Sequence, residues 1–476
     1  MSSREPDSPK LDLKGERVLF LNWRCPWHPL AGGAEWYCWN IATRFARAGA
    51  EVTLVTARPR GLAREEERAG VRIRRRGGAL TVYFWAALYV LVHGGRFTTV
   101  IDCQNGIPFF APVFMLWRQV SVLLVIHHVH QDQFKLHFGW PLATIGRFLE
   151  GPCSRWVYGK RPVIAVSPTT RAEVRRRLHL AGPIYIVPNG VEAPDFNSLP
   201  PRSAAPSIIY VGRLVRHKRV GLLLEAVAKV RERWPGLQVR IVGEGPEREH
   251  LERRAHQLGL DREVIFSGWV PDEERARMLA ASWLLVTPSA GEGWGVTVIE
   301  ANAVGRPALA FRVPGLVNSI VEGVNGWLMD EPRDLPSALN VRLRQLTYPD
   351  EAVLVADRCR PWASRFTWDR SAQRMAGLVA GAVPIVQPSR RVLPDGVSSD
   401  VATVVVLEDA GGLERLHPSL LPSDLWEIDG STLRVLLQGQ DQTTAIAALE
   451  NLGLSGRATV RVASTSDLLL GLRERN

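Results

Sequence analysis

The chain has 476 residues, of which 46% are hydrophobic and 22% charged, a globular composition that excludes collagen-like, coiled-coil and wholly disordered chains. This length predicts two or three domains. Lysine and arginine number 59 against 48 aspartate and glutamate, so the formal net charge is 59 − 48 = +11, which indicates contact with phosphate, nucleic acid or an anionic membrane.

The basic surplus is confined to the first part of the chain. Residues 400–476 contain 6 arginines, no lysine and 11 acidic residues, a net charge of 6 − 11 = −5. Residues 1–399 therefore carry 11 + 5 = +16. Such a shift in charge marks a domain boundary near residue 400.

Several features favour a cytoplasmic protein. Residues 1–16 form a polar tail with no apolar signal-peptide core. The five cysteines are far apart and form no CxxC pair, which is typical of free thiols and predicts neither disulfides nor a zinc site. The most apolar stretch, 80–92, has 13 residues. That is fewer than the ~20 needed to cross a bilayer, so it favours a buried helix, with a helix at the membrane interface as the alternative.

Short β-branched runs alternate with helical patterns along most of the chain. One series starts with RVLFLNW at 17–23 and a second with PSIIYVGRL at 206–214. Runs bounded by Gly or Pro and separated by helices predict parallel βαβ sheets covered on both faces. We therefore predict an α/β fold with two doubly wound, Rossmann-like domains, at 17–195 and 206–360. In such folds the ligand lies at the carboxyl ends of the strands, here in a cleft between the domains.

The end of the chain predicts a third, smaller unit. Residues 383–399 contain Pro and Ser without periodicity and are predicted to form a linker. Residues 400–476 read as a strand, a hairpin, a helix and a strand, which predicts a small α+β module of unknown role.

The densest motif is TPSAGEGWGVTVIEANAV, starting at residue 287. A glycine-rich turn that leads into a helix presents free amides and the positive end of the helix dipole, which suits a phosphate or diphosphate. Glu292 lies in the turn and Glu300 in the helix, and carboxylates beside a diphosphate suit a ligand that also offers sugar hydroxyls. The alternative is a glycine-rich connection with two solvated glutamates.

Two further motifs are candidate anion sites. In YVGRLVRHKRV a predicted strand leads to Arg213 and then to Lys218, which together offer a planar donor fork and a point charge to a diphosphate. The alternative is a solvated basic loop. Gly32 and Gly33 open a helix after the first strand. The string is not GxGxxG, which counts against a dehydrogenase-type dinucleotide fold.

Three histidines, His127, His128 and His130, cluster at a predicted strand end. The spacing H-H-x-H is poor for a metal site, because alternate side chains of a strand point to opposite faces. We favour a histidine that donates a hydrogen bond into the cleft, with a structural role open for one or two of the three.

These motifs together resemble the family 4 glycosyltransferases, retaining enzymes of the GT-B architecture. The resemblance covers roughly residues 17–382. It includes GGAE, AVSPTTRAEV, VPNGV, GRL…K, IVGEGPERE, FSGWVP and the E-x7-E signature from Glu292 to Glu300. FTWDR resembles the family segment after which the chain crosses back to the first domain, which implies a crossover helix at 361–382.

The resemblance implies a hexosyltransferase of the EC 2.4 type. Such an enzyme moves a sugar from a UDP- or GDP-sugar to an acceptor hydroxyl with retention of anomeric configuration. It implies no metal and no cofactor besides the nucleotide-sugar co-substrate. The acceptor is left open as a glycan, a lipid-linked sugar or a small molecule.

The family pattern also assigns roles to the basic and amide groups. Arg213 and Lys218 would neutralise the donor diphosphate as it leaves. The backbone amides near Gly295, Val296 and Thr297 would assist at the helix terminus. Stabilisation of developing charge by such groups usually dominates the catalysis of group transfer.

The carboxylates and the base site follow from the same resemblance. Glu292 would hold hydroxyls of the donor sugar, and Glu300 would hold the ribose hydroxyls. Ser267, Gly268 and Trp269 would lie beside the base.

The first domain would supply the remaining groups. His127 matches the family's cleft histidine and is preferred to His128. Gly32 and Gly33 would approach the diphosphate from the first domain, so that domain closure assembles the site.

One segment departs from the family pattern. Where members often carry Gly-Gly-x-x-Glu, this chain has RVPGLVNS, with Asn318 near the expected acidic residue. This departure and the extra module at 400–476 motivate an alternative function, a catalytically idle GT-B protein that acts as a binding or scaffold module.

Peripheral contact with an anionic membrane is a separate expectation. Residues 58–76 contain 8 arginines against 3 glutamates and are closely followed by the apolar stretch at 80–92. Basic and apolar surface together suit the inner leaflet of a membrane. The alternative is a solvated arginine face beside a core helix. No nucleic-acid recognition motif accompanies the charge, so no nucleic-acid partner is predicted.

Overall fold

The computed structural model describes residues 11–379, apart from 30 and 135–138, and parts of the chain beyond them: 402–408, 416, 425–429, 431–438, 442–454, 456, 458–464 and 467. The chain divides into two compact units. The first comprises Met1–Pro188 and Trp368–Asn476, and the second comprises Asn189–Thr367.

An eight-stranded sheet forms the centre of the first unit. Its strands are β1 (Arg17–Asn22), β2 (Glu51–Thr56), β3 (Glu65–Arg68), β4 (Val71–Arg75), β5 (Thr99–Gln104), β6 (Ser121–Ile126), β7 (Val163–Ala165) and β8 (Ile184–Ile186). They pair in the order β3-β4-β2-β1-β5-β6-β7-β8. All neighbours are parallel except the β3–β4 pair. The central strands are buried along nearly their whole length, as parallel strands covered on both faces must be.

The helices between these strands cover the sheet. They are α1 (Gly33–Arg47), α2 (Thr81–His93), α3 (Trp140–Phe148), α4 (Ser154–Tyr158) and α5 (Pro168–Glu173). A π turn, Leu149–Cys153, joins α3 to α4, and a 3₁₀ turn covers Ala111–Met115. Residues of α2, of the 3₁₀ turn, of α4 and of the segment Val174–Leu178 share one apolar core on the same face of the sheet.

The second unit contains a six-stranded parallel sheet. Its strands are β9 (Ser207–Val211), β10 (Gln238–Val242), β11 (Val264–Gly268), β12 (Leu284–Thr287), β13 (Ala308–Phe311) and β14 (Gly326–Met329). They pair in the order β11-β10-β9-β12-β13-β14. Its helices are α6 (Val220–Val230), α7 (Arg248–Gln257), α8 (Asp272–Ala281), α9 (Val296–Ala303), α10 (Leu316–Ser319), α11 (Leu335–Thr347) and α12 (Pro349–Ala363). Two apolar cores, one containing α6 and α11 and the other α9, cover the two faces of the sheet.

A crossover helix, α13 (Trp368–Val379), begins where the second unit ends. It packs on α1, where the Arg44 guanidinium lies 2.5 Å from the Asp369 carboxylate, and the Ser371 hydroxyl donates to the Pro188 carbonyl at 2.7 Å. The predicted crossover at 361–382 therefore starts later, because residues up to Ala363 continue α12 of the second unit.

The boundary between the units also lies earlier than predicted. The prediction ended the first domain at residue 195, but Asn189 already belongs to the second unit. The physical reason is a bridge between Val191 and Thr367, with the Val191 amide donating to the Phe366 carbonyl at 2.8 Å. This pairing ties the start of the second unit to its end.

The described part of the C-terminal segment forms the predicted α+β module. Strands β15 (Ala402–Leu407), β16 (Leu425–Asp429), β17 (Thr432–Gln438) and β18 (Ala458–Val462) pair antiparallel in the order β16-β17-β15-β18. Helix α14 (Gln442–Asn451) packs on this sheet through Ala445 and Leu449. The predicted linker at 383–399 lies outside the described residues.

The arginine-rich segment 58–76 contains a hairpin that the sequence analysis did not predict. Strands β3 and β4 pair through a turn at Ala69 and Gly70, which have positive φ of 48° and 77°. Arg75 is fully buried, with its guanidinium 2.8 Å from the Glu66 carboxylate. Its charge is therefore part of the fold, whereas the arginines on the outer face of the hairpin remain exposed.

The apolar stretch at 80–92 forms α2, which buries only one of its faces, on Val82, Ala86 and Val90. The expectation of a buried helix therefore holds for this face and is wrong for the opposite one. None of the helices in the described part of the chain combines the length and the apolar character that spanning a bilayer requires.

A buried carboxylate anchors the loop after β5. Asp102 accepts hydrogen bonds from the amides of Phe109 at 3.0 Å and Ala111 at 3.3 Å and from the Tyr158 hydroxyl. Burial raises the pKa of Asp102 to about 6, although these three hydrogen bonds favour the charged form. The loop thereby acquires a fixed path over the carboxyl end of β5.

We predict that Asp102→Ala lowers the free energy of unfolding by about 3 kcal/mol, because two amides and a hydroxyl are left buried without an acceptor. Asp369→Ala is the matched control. That carboxylate is 80% exposed in its pair with Arg44, so its loss should cost less than about 1 kcal/mol. Urea unfolding of both variants checks the difference, and equal shifts would contradict the anchoring role.

Candidate functional site

The predicted basic loop and glycine-rich turn meet at one edge of the second sheet. Strands β9 and β12 are parallel neighbours, with Leu284 opposite Ile208, so their carboxyl ends lie together. Residues 212–219 follow β9 and residues 288–295 follow β12. The Ala290 amide donates to the His217 carbonyl at 2.8 Å, so the two loops are in direct contact.

The loops are joined by an ion pair between two predicted site residues. The Lys218 ammonium donates to the Glu292 carboxylate, which also accepts a hydrogen bond from the Ser289 hydroxyl at 2.7 Å. Burial alone would raise the pKa of Glu292, but Lys218 and Ser289 outweigh it, and the pKa lies below its usual value. The site thus holds an ionised carboxylate and an ammonium in contact.

Arg219 was missed by the sequence analysis and fastens the same two loops. Its φ of 51° lies in the left-handed region that side-chain-bearing residues seldom adopt. From there its guanidinium donates to the carbonyls of Pro288 and Ser289, both at 2.9 Å, and stacks over Phe311 at 4.8 Å. The strained backbone and the three contacts indicate that Arg219 is a positioning residue. The sequence could not reveal this role, because the role depends on an unusual backbone dihedral angle.

Arg213 lies beyond the end of β9 and its side chain is exposed. Its carbonyl accepts a hydrogen bond from the buried Tyr210 hydroxyl at 3.0 Å, which fixes the backbone of the loop. Within the described residues its guanidinium has no ion-pair partner. Arg213 is therefore placed to meet an anion from solution.

The glycine-rich turn leads into α9 with the geometry of an open helix start. Gly295 precedes α9 with a φ of 86°, and among the described residues no side chain caps this terminus. Val296 and Thr297 form the first turn, where backbone amides lack partners within the helix. An anion at this end would meet these amides and the positive end of the dipole.

Glu300 lies in the second turn of α9 and is paired with a residue that the sequence analysis missed. The Arg275 guanidinium on α8 donates to Glu300 at 2.9 Å and to Asp272 at 2.8 Å. Burial raises the pKa of Glu300, and the attraction to Arg275 only partly opposes this shift. Arg275 escaped notice because it lies on a strongly charged helix, and no local pattern links it to Glu300.

The predicted base-binding residues lie at the carboxyl end of β11, two strands away from β9 in the same sheet. Gly268 ends β11 with a φ of 68°, and a Cβ there would lie 2.7 Å from the Glu244 carboxylate. Trp269 follows with its indole largely exposed. Ser267 precedes them on β11. The segment offers an aromatic surface beside a close-packed turn.

The predicted groups of the first unit have different surroundings. The Gly32 amide donates to the Glu35 carboxylate at 2.7 Å, so the start of α1 already carries an acceptor of its own. The Gly32–Gly33 contact with a diphosphate stays a prediction. Gly33 is the first residue of α1.

His127 directly follows β6 and packs edge-on against Tyr37, with ring centroids 4.8 Å apart. Burial, with a smaller contribution from the neighbouring His130, lowers the pKa of His127 to about 3, so the ring is neutral at pH 7. Its Nε2 is buried without a hydrogen-bond partner among the described residues. The preference for His127 over His128 as the cleft histidine stays a prediction.

The segment that departs from the family pattern lies directly against Glu292. The Glu292 amide donates to the Pro314 carbonyl at 3.0 Å, and a Cβ on Gly315 would collide with the Glu292 backbone. Asn318 lies on α10 and is buried. The segment that departs from the family pattern therefore packs directly against the turn that contains Glu292.

We predict that Gly295→Ala destabilises the second unit by about 2 kcal/mol, because the substitution adds a strained φ. Its Cβ would lie 2.8 Å from the Ser319 hydroxyl and 2.9 Å from Leu316. Gly291→Ala is the control from the same turn, since a Cβ there has no atom within 4 Å. Thermal unfolding compares the two, and a larger loss for Gly291→Ala would refute this geometry.

Comparisons with known proteins match most of the chain. A family model described as "Glycosyltransferase Family 4" matches residues 31–193, and one described as "Glycosyl transferases group 1" matches residues 192–347. The two matches adjoin, and together they span more than half of the chain.

Individual relatives are more distant. D-inositol 3-phosphate glycosyltransferase of Corynebacterium urealyticum is 34% identical over 184 residues, which are 37% of this chain and 43% of that protein. The match thus spans less than half of that relative's length. Glycogen synthase of Mycobacterium tuberculosis strain H37Rv is 24% identical over 394 residues, which are 76% of this chain and 93% of that protein.

Solved structures share the fold. Sucrose-phosphate synthase from Thermosynechococcus elongatus has a TM-score of 0.64 at 22% identity and covers 76% of this chain and 98% of its own. Anabaena HepE, solved in complex with UDP and glucose, has a TM-score of 0.59 at 19% identity and covers 77% of this chain and 100% of its own. These likenesses confirm the predicted α/β class and GT-B fold.

Proposed function

The chain belongs to the family 4 glycosyltransferases, and from that premise we propose that it moves a sugar from a nucleotide diphosphate donor, a UDP- or GDP-sugar, to an acceptor hydroxyl with retention and without a metal. The observation that carries the proposal is the group of charges at the strand ends of the second unit. Arg213, Lys218 and the open start of α9 lie beside the carboxylate of Glu292. A sugar diphosphate can bind to both kinds of charge at once, with its phosphates at the cationic groups and its sugar hydroxyls at the carboxylate.

The donor would replace the contacts that the site now makes with itself. In the structure Lys218 and Glu292 satisfy each other. A bound diphosphate would become the partner of Lys218, and the sugar hydroxyls would become the hydrogen-bond donors to Glu292. Neither buried charge would lose its partner on binding, which keeps the cost of desolvation low.

Transfer requires stabilisation of the leaving diphosphate. The acceptor oxygen bonds to the anomeric carbon on the face from which the diphosphate oxygen departs, and the acceptor proton passes to the diphosphate. Negative charge grows on the diphosphate as the glycosidic bond breaks. Arg213, Lys218 and the first amides of α9 would oppose that charge, and the amides are donors that the helix already fixes in place.

Glu300 would hold the ribose of the donor, with Arg275 as its positioning residue. The Arg275 guanidinium already donates to one oxygen of Glu300 at 2.9 Å. A carboxylate fixed in this way accepts hydroxyl hydrogen bonds without losing further side-chain freedom. Trp269, largely exposed two strands away from β9, would stack on the base.

The relatives guide the choice of donor and acceptor without deciding it. One of them is named a GDP-mannose-dependent mannosyltransferase, and HepE was solved with UDP and glucose. We accordingly propose a hexose donor with either base, and an acceptor that is a glycan, a lipid-linked sugar or a small molecule. All five cysteines are free, and we place the enzyme in the cytoplasm.

We predict that Lys218→Met and Arg213→Met each lower kcat/KM for donor turnover by about a hundredfold, because each removes a charge that opposes the leaving diphosphate. Arg253→Met is the matched control, since Arg253 lies exposed on α7 and has one weak ion pair with Glu249 at 3.8 Å. Donor hydrolysis and transfer are measured over a panel of UDP-, GDP- and ADP-sugars. Full activity in both site variants would refute the assigned roles.

We predict that Glu300→Gln raises KM for the donor more than it lowers kcat, because a ribose contact is made equally in the ground and transition states. The exposed Glu249→Gln is the control.

A scaffold protein without catalysis is the alternative function. Isothermal titration calorimetry that detects no nucleotide-sugar binding by the native chain would favour that alternative.

Retention and metal independence have a test of their own. We expect proton NMR of the first product to show the anomeric configuration of the donor, and we expect added chelator to leave the rate unchanged. An inverted product would overturn the proposed stereochemistry. Loss of activity with chelator and its recovery with Mg²⁺ would overturn metal independence.

A further inference from the structure

Helix α2 leaves one whole side uncovered. Its residues are apolar on all sides, yet only Val82, Ala86 and Val90 are buried against the sheet. On the opposite side Phe84 is 66% exposed, in line with the exposed Leu88. A helix that is hydrophobic all round is normally buried all round or lies in a membrane.

The segment beside α2 extends the uncovered surface. The 3₁₀ turn Ala111–Met115 packs against α2, and directly after it Leu116 is 68% and Trp117 86% exposed. We call the following residues the apolar face: Leu80, Phe84, Leu88, Leu91, Val113, Leu116 and Trp117. A contiguous apolar patch, unlike scattered single residues, marks a contact surface.

A second exposed apolar stripe lies on α3 and α4. Along α3 and α4, Ile145, Phe148 and Trp156 point outward, with Trp156 86% exposed. The 3₁₀ turn contacts α4 as well as α2, and all three elements share one core over one face of the sheet. Elements that cover the same sheet face turn their outer sides in the same direction. The α4 end of the stripe, at Trp156, therefore adjoins the apolar face.

Guanidinium groups border the apolar face. Arg76 lies over the Trp85 ring at 5.3 Å and Arg74 over the Tyr89 ring at 5.8 Å. Arg118 donates to the carbonyl of Leu91 at 2.7 Å at the end of α2. With the exposed Arg96 they form a basic rim: Arg74, Arg76, Arg96 and Arg118.

The nearest acidic residues leave the rim positive. Glu65 pairs with Arg74 at 2.8 Å, and Glu66 pairs with the buried Arg75. Both carboxylates belong to β3, which pairs with β4, whereas Arg76, Arg96 and Arg118 have no carboxylate partner in the described residues. An apolar face bordered by a basic rim is complementary to a partner with an apolar interior and an anionic outer layer.

We propose that the apolar face docks onto an anionic lipid bilayer, with the side chains of α2 and Trp117 among the acyl chains and the basic rim among the headgroups. Helix α2 has 13 residues. Its length of about 20 Å suits a position along the interface. A second copy of the chain is the less suitable occupant, because a two-fold contact through this face would bring one basic rim against the other. The inference goes beyond the transfer reaction.

The test is flotation of the full-length chain with two kinds of vesicle, phosphatidylcholine alone and phosphatidylcholine with one third phosphatidylglycerol. We expect co-flotation with the anionic vesicles and about tenfold weaker binding to the neutral ones or at high salt. Binding that is equal for both vesicles at all salt concentrations would contradict the role of the basic rim. Absence of flotation with either would overturn the proposal.

A double variant assigns the binding to the apolar face. Phe84→Glu with Trp117→Glu should lower affinity for anionic vesicles about a hundredfold, because two anchors are lost and two negative charges are added. The control is Val341→Glu with Val353→Glu, at two exposed residues of the second unit. It adds the same charge and should change the affinity for anionic vesicles by less than about threefold. Equal effects of the two double variants would overturn the assignment.

Two measurements separate this result from misfolding and from the reaction. Thermal unfolding and donor turnover in vesicle-free buffer should be the same in both double variants and in the native chain. If the Phe84 and Trp117 variant fails to fold, Ile145→Glu with Trp156→Glu repeats the test on the adjoining stripe. Ultracentrifugation that finds a dimer broken by these substitutions, without any vesicle binding, would assign the face to a second copy and overturn the proposal.

Discussion

The site depends on the pairing of a mostly buried carboxylate with a cation from a different loop. Glu292 follows β12 and Lys218 follows β9, and the two strands are neighbours, so the ion pair closes the gap between the loops. Burial raises the pKa of a carboxylate, and the adjacent cation more than offsets that shift for Glu292. The same electrostatic requirement holds Glu300 against Arg275. The part of the second unit where we propose that the donor binds is thus built from charges that compensate each other.

Sequence patterns predicted the parts of this arrangement that local chemistry determines. Apolar runs bounded by Gly or Pro located the strands, and the ends of those strands located Arg213, Lys218 and Glu292. Arg275 and Arg219 could not be found in this way. Arg275 acts across two helices, on a carboxylate 25 residues away. Arg219 acts through a left-handed backbone conformation, which cannot be predicted from its residue type. Contacts between elements and unusual dihedral angles follow from tertiary packing and leave no periodic signal.

In the first unit, sequence patterns likewise could not predict which surfaces are exposed. Alternation of apolar residues reveals which side of a helix is buried, but α2 is apolar on every side and carries no such alternation. Only the packing of Val82 and Val90 against the sheet distinguishes its inner face from its outer face. The charged sequences EEER of β3 and VRIRR of β4 concealed a hairpin, whose outer strand β3 is the edge of the sheet, where charges protect against further pairing. Arg75 belongs to its interior, so a count of arginines overstated the charge at the surface.

The segment at 312–319 connects the departure from the family pattern to the chemistry of the site. Gly315 leaves room for the backbone of Glu292, and the Pro314 carbonyl accepts the Glu292 amide, so this segment determines where the carboxylate stands. A neutral Asn318 removes one negative charge from a neighbourhood that, on our proposal, receives a diphosphate. The change lowers the repulsion that the donor would meet and leaves Glu292 as the acceptor for sugar hydroxyls there. The altered sequence is therefore compatible with the donor binding that we propose, because the loop of Gly315 supports the loop of Glu292 without adding a second carboxylate at position 318.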